Sequence, residues 1–146
     1  MKTLLVISSI FIFISGCGPS KNTTSGQGIS ALHGTWQLTY ISGPRISFDD
    51  VYPDKKPFLT FETSKNKIIG NTSCNSFSGS FTADGKSLKF ADNLIMTKMA
   101  CNGDGESDFL QALKKINGYD LTAGYTLTLL MNDEAIMRFT KVTGSL

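Results

Sequence analysis

Three cysteines carry most of the reactive chemistry in this 146-residue chain. Cys74 and Cys101 lie in its body and Cys17 near its start. The start reads as an export signal, and exported proteins hold paired cysteines oxidised. A disulfide between Cys74 and Cys101 is therefore expected. In the chain-entropy model, closing a loop of that size contributes about 3.6 kcal/mol before strain. Two buried thiols that never meet are the other reading. A redox-active pair is disfavoured, since no Cys-x-x-Cys spacing is present. A metal site is disfavoured because the single histidine, His33, is far from both cysteines in sequence. No metal and no cofactor is expected.

The remaining polar groups offer less. Asn102, Asp104, Glu106 and Asp108 place oxygens at every second position, like the opening of a calcium loop. Ser107 stands where such a loop needs glycine, and Leu113 where it needs a bidentate glutamate. The run reads instead as the acidic, capping first turn of a helix. No Gly-x-Ser-x-Gly elbow and no Gly-rich phosphate loop occurs. Asp49, Asp50 and Asp54 cluster between Pro44 and Pro57, where solvated loop acids are a better reading than a glycosidase pair. No catalytic residue is expected. With 14 Lys and Arg, 12 Asp and Glu, a formal net charge of +2 and no block of like charge, nucleic acid is not an expected partner.

Lys2 precedes an apolar run from Leu4 to Ile14, which ends in Ile14-Ser15-Gly16-Cys17. A membrane-spanning helix takes about 20 apolar residues, and this run is shorter. A basic start, a short apolar core and small residues at the break are the layout of a secretory signal peptide. The cysteine directly after the small residues resembles the bacterial lipobox. Residues 1–16 are expected to be removed and Cys17 to carry lipid, which anchors the protein to a membrane surface. Gly18 is not the aspartate of the inner-membrane retention signal, so the outer membrane is favoured. Residues 17–30 are rich in Gly, Ser and Thr and read as a flexible tether, reaching on the order of 20 Å. Residues 31–146 are the size of one domain.

That domain is dominated by the two-residue period of β-strands. Trp36, Leu38 and Tyr40 alternate with polar neighbours, as do Leu59 and Phe61. Asn75, Phe77, Gly79 and Phe81 alternate with Ser76, Ser78 and Ser80, and Asp84-Gly85 turns the chain toward Leu88 and Phe90. Tyr125, Leu127, Leu129 and Met131 lead through Asn132-Asp133 to Ala135, Met137 and Phe139. Phe109, Leu110, Leu113 and Ile116 instead recur at helical spacing, which predicts a short helix over roughly 105–116 packed on the sheet. The expected fold is α+β, mostly β: a strongly curled, barrel-like antiparallel sheet with one short packed helix. The alternation of Trp36, Tyr40, Phe58, Phe61, Phe77 and Phe81 favours a filled core over a ligand groove. Residues 43–57 read as a long surface loop.

Two segments carry a family resemblance. Residues 70–79 read Gly-Asn-Thr-Ser-Cys-Asn-Ser-Phe-Ser-Gly and residues 97–101 read Thr-Lys-Met-Ala-Cys. With Gly34-Thr35-Trp36-Gln37-Leu38 and Leu127-Thr128-Leu129, they resemble the META, or HslJ-like, domain over about residues 31–142. The resemblance implies an envelope lipoprotein and supplies no catalytic residues. Ser73 is a departure, since glycine is expected directly ahead of the cysteine. In an extended 97–101 segment, Met99 is expected to enter the core while Cys101 reaches Cys74.

These readings converge on a non-catalytic, lipid-anchored envelope domain that binds an envelope protein partner. Its candidate partner surface is Arg45, Asp49, Asp50, Tyr52 and Asp54. The alternative is an envelope-displayed hydrolase inhibitor that uses the 43–57 loop, since a rigid loop loses less entropy on binding.

Overall fold

The computed structural model describes residues 28–43 and 47–144. The leader, Cys17, most of the tether and Arg45 lie outside them. Nine strands form one antiparallel sheet: β1 (Gly34–Ile41), β2 (Phe58–Glu62), β3 (Lys67–Asn71), β4 (Ser76–Asp84), β5 (Ser87–Phe90), β6 (Ile95–Met96), β7 (Gly118–Thr122), β8 (Thr126–Met131) and β9 (Glu134–Lys141). The order β3-β2-β1-β9-β8-β7-β5-β4 returns to β3, which closes an eight-stranded barrel, and β6 adds to β4 as an extra strand. Closure removes sheet edges that would otherwise recruit other chains. Helix α1 (Phe48–Val51) lies between β1 and β2, and α2 (Gly105–Lys115) lies between β6 and β7.

Apolar alternation along the strands fills the interior. Trp36, Leu38, Leu59, Phe61, Ile68, Leu88, Leu127, Leu129, Met137 and Phe139 are all fully buried. The indole N–H of Trp36 donates to the Leu32 carbonyl at 2.7 Å, which satisfies its one polar atom inside the core. Phe109, Ala112, Leu113 and Ile116 join the same core from α2. At the helical spacing predicted, one α2 face packs on the barrel while the other stays wet. Among the described residues, the expected filled interior is observed.

Alternation breaks where the ladder slips. A bulge between Leu38 and Tyr40 shifts the β1–β9 register and turns Tyr40 outward, 42% exposed, while Ile41 faces the core. Strands β3 and β7 escaped the sequence reading. Their runs are short and carry Gly, Asn and Asp, which are poor strand formers. Gly70 of β3 pairs directly with Phe77 of β4. A Cβ there would lie 2.6 Å from Cε1 of that ring and 2.8 Å from the Phe58 carbonyl oxygen, so only glycine admits the ring.

Candidate functional site

Among the described residues, the buried polar side chains other than aromatic ones are Asn71, Thr72 and Asn75. Asn71 ends β3, and Thr72 and Asn75 stand in the four-residue turn that leads to β4. Burying polar groups costs stability unless each finds a partner, and here each does. Asn71 Oδ1 accepts from the Ser73 amide at 3.0 Å and its Nδ2 donates to Ser76 Oγ at 3.2 Å. The Thr72 amide donates to the Asn75 carbonyl at 2.8 Å. Its Oγ1 accepts from the Asn75 amide at 3.0 Å.

Asn75 then ties this turn to two distant segments. Its Oδ1 accepts from Thr97 Oγ1 at 2.7 Å and from the Met99 amide at 2.8 Å. Its Nδ2 donates to the Met99 carbonyl and to Glu106 Oε1, both at 3.1 Å, and lies 3.1 Å from Cys101 Sγ. The other Glu106 oxygen takes the Thr72 hydroxyl at 2.5 Å and the Asn75 amide at 3.3 Å. Glu106 lies in the first turn of α2, where a carboxylate complements the partial positive charge of the helix end. One side chain thus holds the 97–101 strap, and one carboxylate anchors α2 to the same turn.

The expected disulfide is present. Cys74 joins Cys101 with their Cα atoms 6.0 Å apart. The two segments that carry the family resemblance are therefore stapled by a covalent bond and by the Asn75 amide together. Ser73 adopts φ +87°, in the left-handed region that glycine enters without penalty. The departure from glycine thus falls at a position where the backbone favours it.

Met99 corrects an expectation, since it is 59% exposed and does not enter the core. Asn75 uses both backbone groups of Met99, which holds the strap as an outer layer and turns its side chain to solvent. Ile95 on the preceding strand β6 is 77% exposed. An open groove of about 440 Å³ adjoins this face, lined by Lys67, Ile69, Ser78, Ile95 and Thr97 among others.

Within the 43–57 stretch, residues 47–57 are less irregular than expected. Ser47 caps α1, accepting from the Asp50 amide at 3.3 Å and donating to Asp50 Oδ2 at 2.6 Å. Tyr52 corrects the proposed partner surface, because it is 2% exposed and points inward. Its hydroxyl donates to the Gly105 carbonyl at 2.8 Å. A Cβ on Gly105 would meet the Tyr52 ring at 2.8 Å, so glycine makes room for this anchor. Burial, and then the nearby Asp108 charge, push the Tyr52 hydroxyl well above the ordinary phenol range. Asp49, Asp50 and Asp54 are exposed, and Asp49 pairs with Lys56 at 3.2 Å.

The acidic run at 102–108 is divided by the fold. Asp104 occupies the cap position of α2 without a side-chain capping bond, which corrects the capping role given to it. Glu106 faces the Asn75 turn and Asp108 lies toward Tyr52. His33 is exposed at the end of a short helical turn before β1. A second hollow of about 360 Å³ lies beside α2, with Asp108, Gln111, Lys115 and Glu134 in its lining. No helix among the described residues is long and apolar enough to cross a membrane.

The META domain model matches residues 30–143. An NMR structure of a protein from Burkholderia xenovorans is similar, at 26% identity and a TM-score of 0.59, over 80% of this chain and 87% of that one. A second NMR structure is similar at 25% identity and a TM-score of 0.55, over 75% of this chain and 90% of that one. The crystal structure of a DUF4847 family protein from Bacteroides vulgatus shares the fold, at 14% identity and a TM-score of 0.55, over 78% and 96%. No curated protein matches the sequence.

Proposed function

The chain belongs to the META domain family, and from that premise we propose a non-catalytic, lipid-anchored envelope domain that binds an envelope protein through its outer surface. The observation that carries this reading is where the polar groups go. The core is filled, and among the described residues the buried non-aromatic polar side chains are spent on holding one turn, one strap and one helix together. Recognition is then left to the outside. The strap is held there by a covalent bond and by hydrogen bonds, it presents Met99 to solvent, and strand β6 just before it presents Ile95. A surface already held in place loses little entropy on binding.

The anchor has its own support. Cys74 and Cys101 use each other, which leaves Cys17 as the third cysteine, directly after Ser15-Gly16. Attachment at the outer membrane belongs to the same proposal. The inhibitor reading of the 43–57 loop gains no support, because Tyr52 is turned inward and holds the loop down.

The test uses the full-length gene expressed in cells supplied with an alkyne fatty acid. Cys17→Ser is expected to lose the label and to leave the membrane fraction. A photo-crosslinking residue in place of Ile95 is expected to give a discrete adduct with an envelope protein, and the same residue at Asp54 none. A wild-type chain without acyl label overturns the anchor. The reverse crosslinking pattern returns recognition to the 43–57 loop.

A further inference from the structure

The strap staple brings together a ligand set that sequence spacing concealed. Sγ of Cys74, Sγ of Cys101 and a carboxylate oxygen of Glu106 all lie within 4.8 Å of one another. Each of the three residues is half-buried, so small ions and reductants reach them. We propose that reduction of the Cys74–Cys101 bond converts this corner into a zinc-class metal site, with two thiolates and the Glu106 carboxylate as protein ligands and water in the fourth position. The inference is independent of the partner-binding proposal.

Two thiolates and a carboxylate suit a borderline-soft cation such as zinc. A tetrahedral zinc with Zn–S bonds of about 2.3 Å holds its sulfurs roughly 3.7 Å apart. Parting the bonded sulfurs by that much is a side-chain adjustment and leaves the backbone in place. The second shell is already built, because Asn75 Nδ2 donates to Glu106 Oε1 while the Thr72 hydroxyl holds the other oxygen. Such partners orient a ligating carboxylate and fix the site. The first turn of α2 and the Asn75 amide protons supply positive potential toward three anionic ligands. Calcium is the wrong ion, since this corner offers it sulfur and one carboxylate where it takes six to eight oxygens.

The chemistry balances with a dithiol reductant. One reductant thiolate attacks a disulfide sulfur, and the mixed disulfide resolves on the second reductant thiol. Two electrons and two protons pass to Cys74 and Cys101, and the reductant leaves as its own disulfide. Metal entry then expels the two thiol protons to solvent.

The full chain, purified in detergent, is titrated with cobalt(II) as the probe after reduction by a phosphine and its removal. Thiolate-to-cobalt charge-transfer absorption and the strong visible bands of tetrahedral cobalt are expected at one equivalent, and zinc is expected to displace them. The oxidised chain is expected to give neither. Cys101→Ser is expected to abolish the bands. Glu106→Gln, which keeps the carbonyl oxygen and loses the charge, is expected to weaken binding at least about tenfold, the floor for outer-shell partners. Far-ultraviolet circular dichroism runs alongside. If reduction alone loosens the fold, one equivalent of zinc is expected to restore it. Absence of tetrahedral bands in a folded reduced chain overturns the site. So do unchanged affinity in Glu106→Gln and failure of zinc to restore a loosened fold.

Discussion

Two segments lie over the outside of this barrel, and they are held by opposite means. The 97–101 strap is fixed by a covalent bond and the amide of Asn75. The 47–57 segment is fixed mainly by apolar packing: the buried Tyr52 ring, with its hydroxyl bonded to Gly105, and the partly buried Phe48 and Val51 beside it. The first attachment is covalent and polar, and the second is largely apolar, centred on Tyr52 with Phe48 and Val51. The contrast teaches how a small barrel fixes its outer layers. A strap with little apolar surface to bury needs bonds of its own, whereas a loop with apolar side chains to bury needs a socket.

Four measurements sharpen or break that contrast. The largest effect is expected from Cys74→Ala with Cys101→Ala, at about 3.6 kcal/mol in the chain-entropy model. Urea unfolding reads it, and amide exchange is expected to rise at Met99 and not at Tyr52. Equal loosening of both segments would show them to be one cooperative unit. Next is Asn75→Ala, at about 3 kcal/mol, because it strands the Met99 amide and frees one side of Glu106. A loss under about 1 kcal/mol would mean that water replaces the side chain without penalty.

A smaller effect, about 1 kcal/mol, is expected for Tyr52→Phe, which removes one neutral hydrogen bond and keeps the ring. Its pH dependence is more telling. The Tyr52 hydroxyl is raised in the folded protein, so its contribution is complete below the ordinary phenol value of about 10 and is lost as pH rises past it. Tyr119, raised by burial, acts in the same direction. Wild-type stability is expected to fall in alkali, and that of Tyr52→Phe to fall less steeply. Identical alkaline profiles would remove Tyr52 from the account. The smallest effect has the opposite sign. Ser73→Gly is expected to stabilise by just under about 1 kcal/mol, since no side-chain bond is lost and φ +87° is relieved. A destabilised variant would show that the extra freedom of the unfolded glycine outweighs the strain.

What the sequence made legible follows from period and pairing. Phe77 and Phe81 alternate cleanly and are buried, and the 109–116 stripe forms the helix face expected of it. The two body cysteines pair. The META resemblance located the turn that matters but did not say what Asn75 does. Its partners, Thr97, Met99 and Glu106, stand 22 to 31 residues away, and no periodicity reports contacts at that separation. Glu106 was lost among neighbouring acids because composition cannot tell an inward carboxylate from an outward one. Tyr52 was misplaced for a related reason. Prolines and aspartates mark a loop, but whether a loop aromatic faces in or out depends on a socket such as Gly105, which comes from elsewhere in the chain.

The closure of the barrel is uneven. Strands β5 and β7 meet at a single registered pair, Ser87 with Gly118, whereas β8 and β9 are matched along six positions. Local opening is expected to cost least where the fewest paired positions must part. Amide exchange is therefore expected to be faster along that seam, beside Leu88 and Tyr119, than along the β8–β9 ladder.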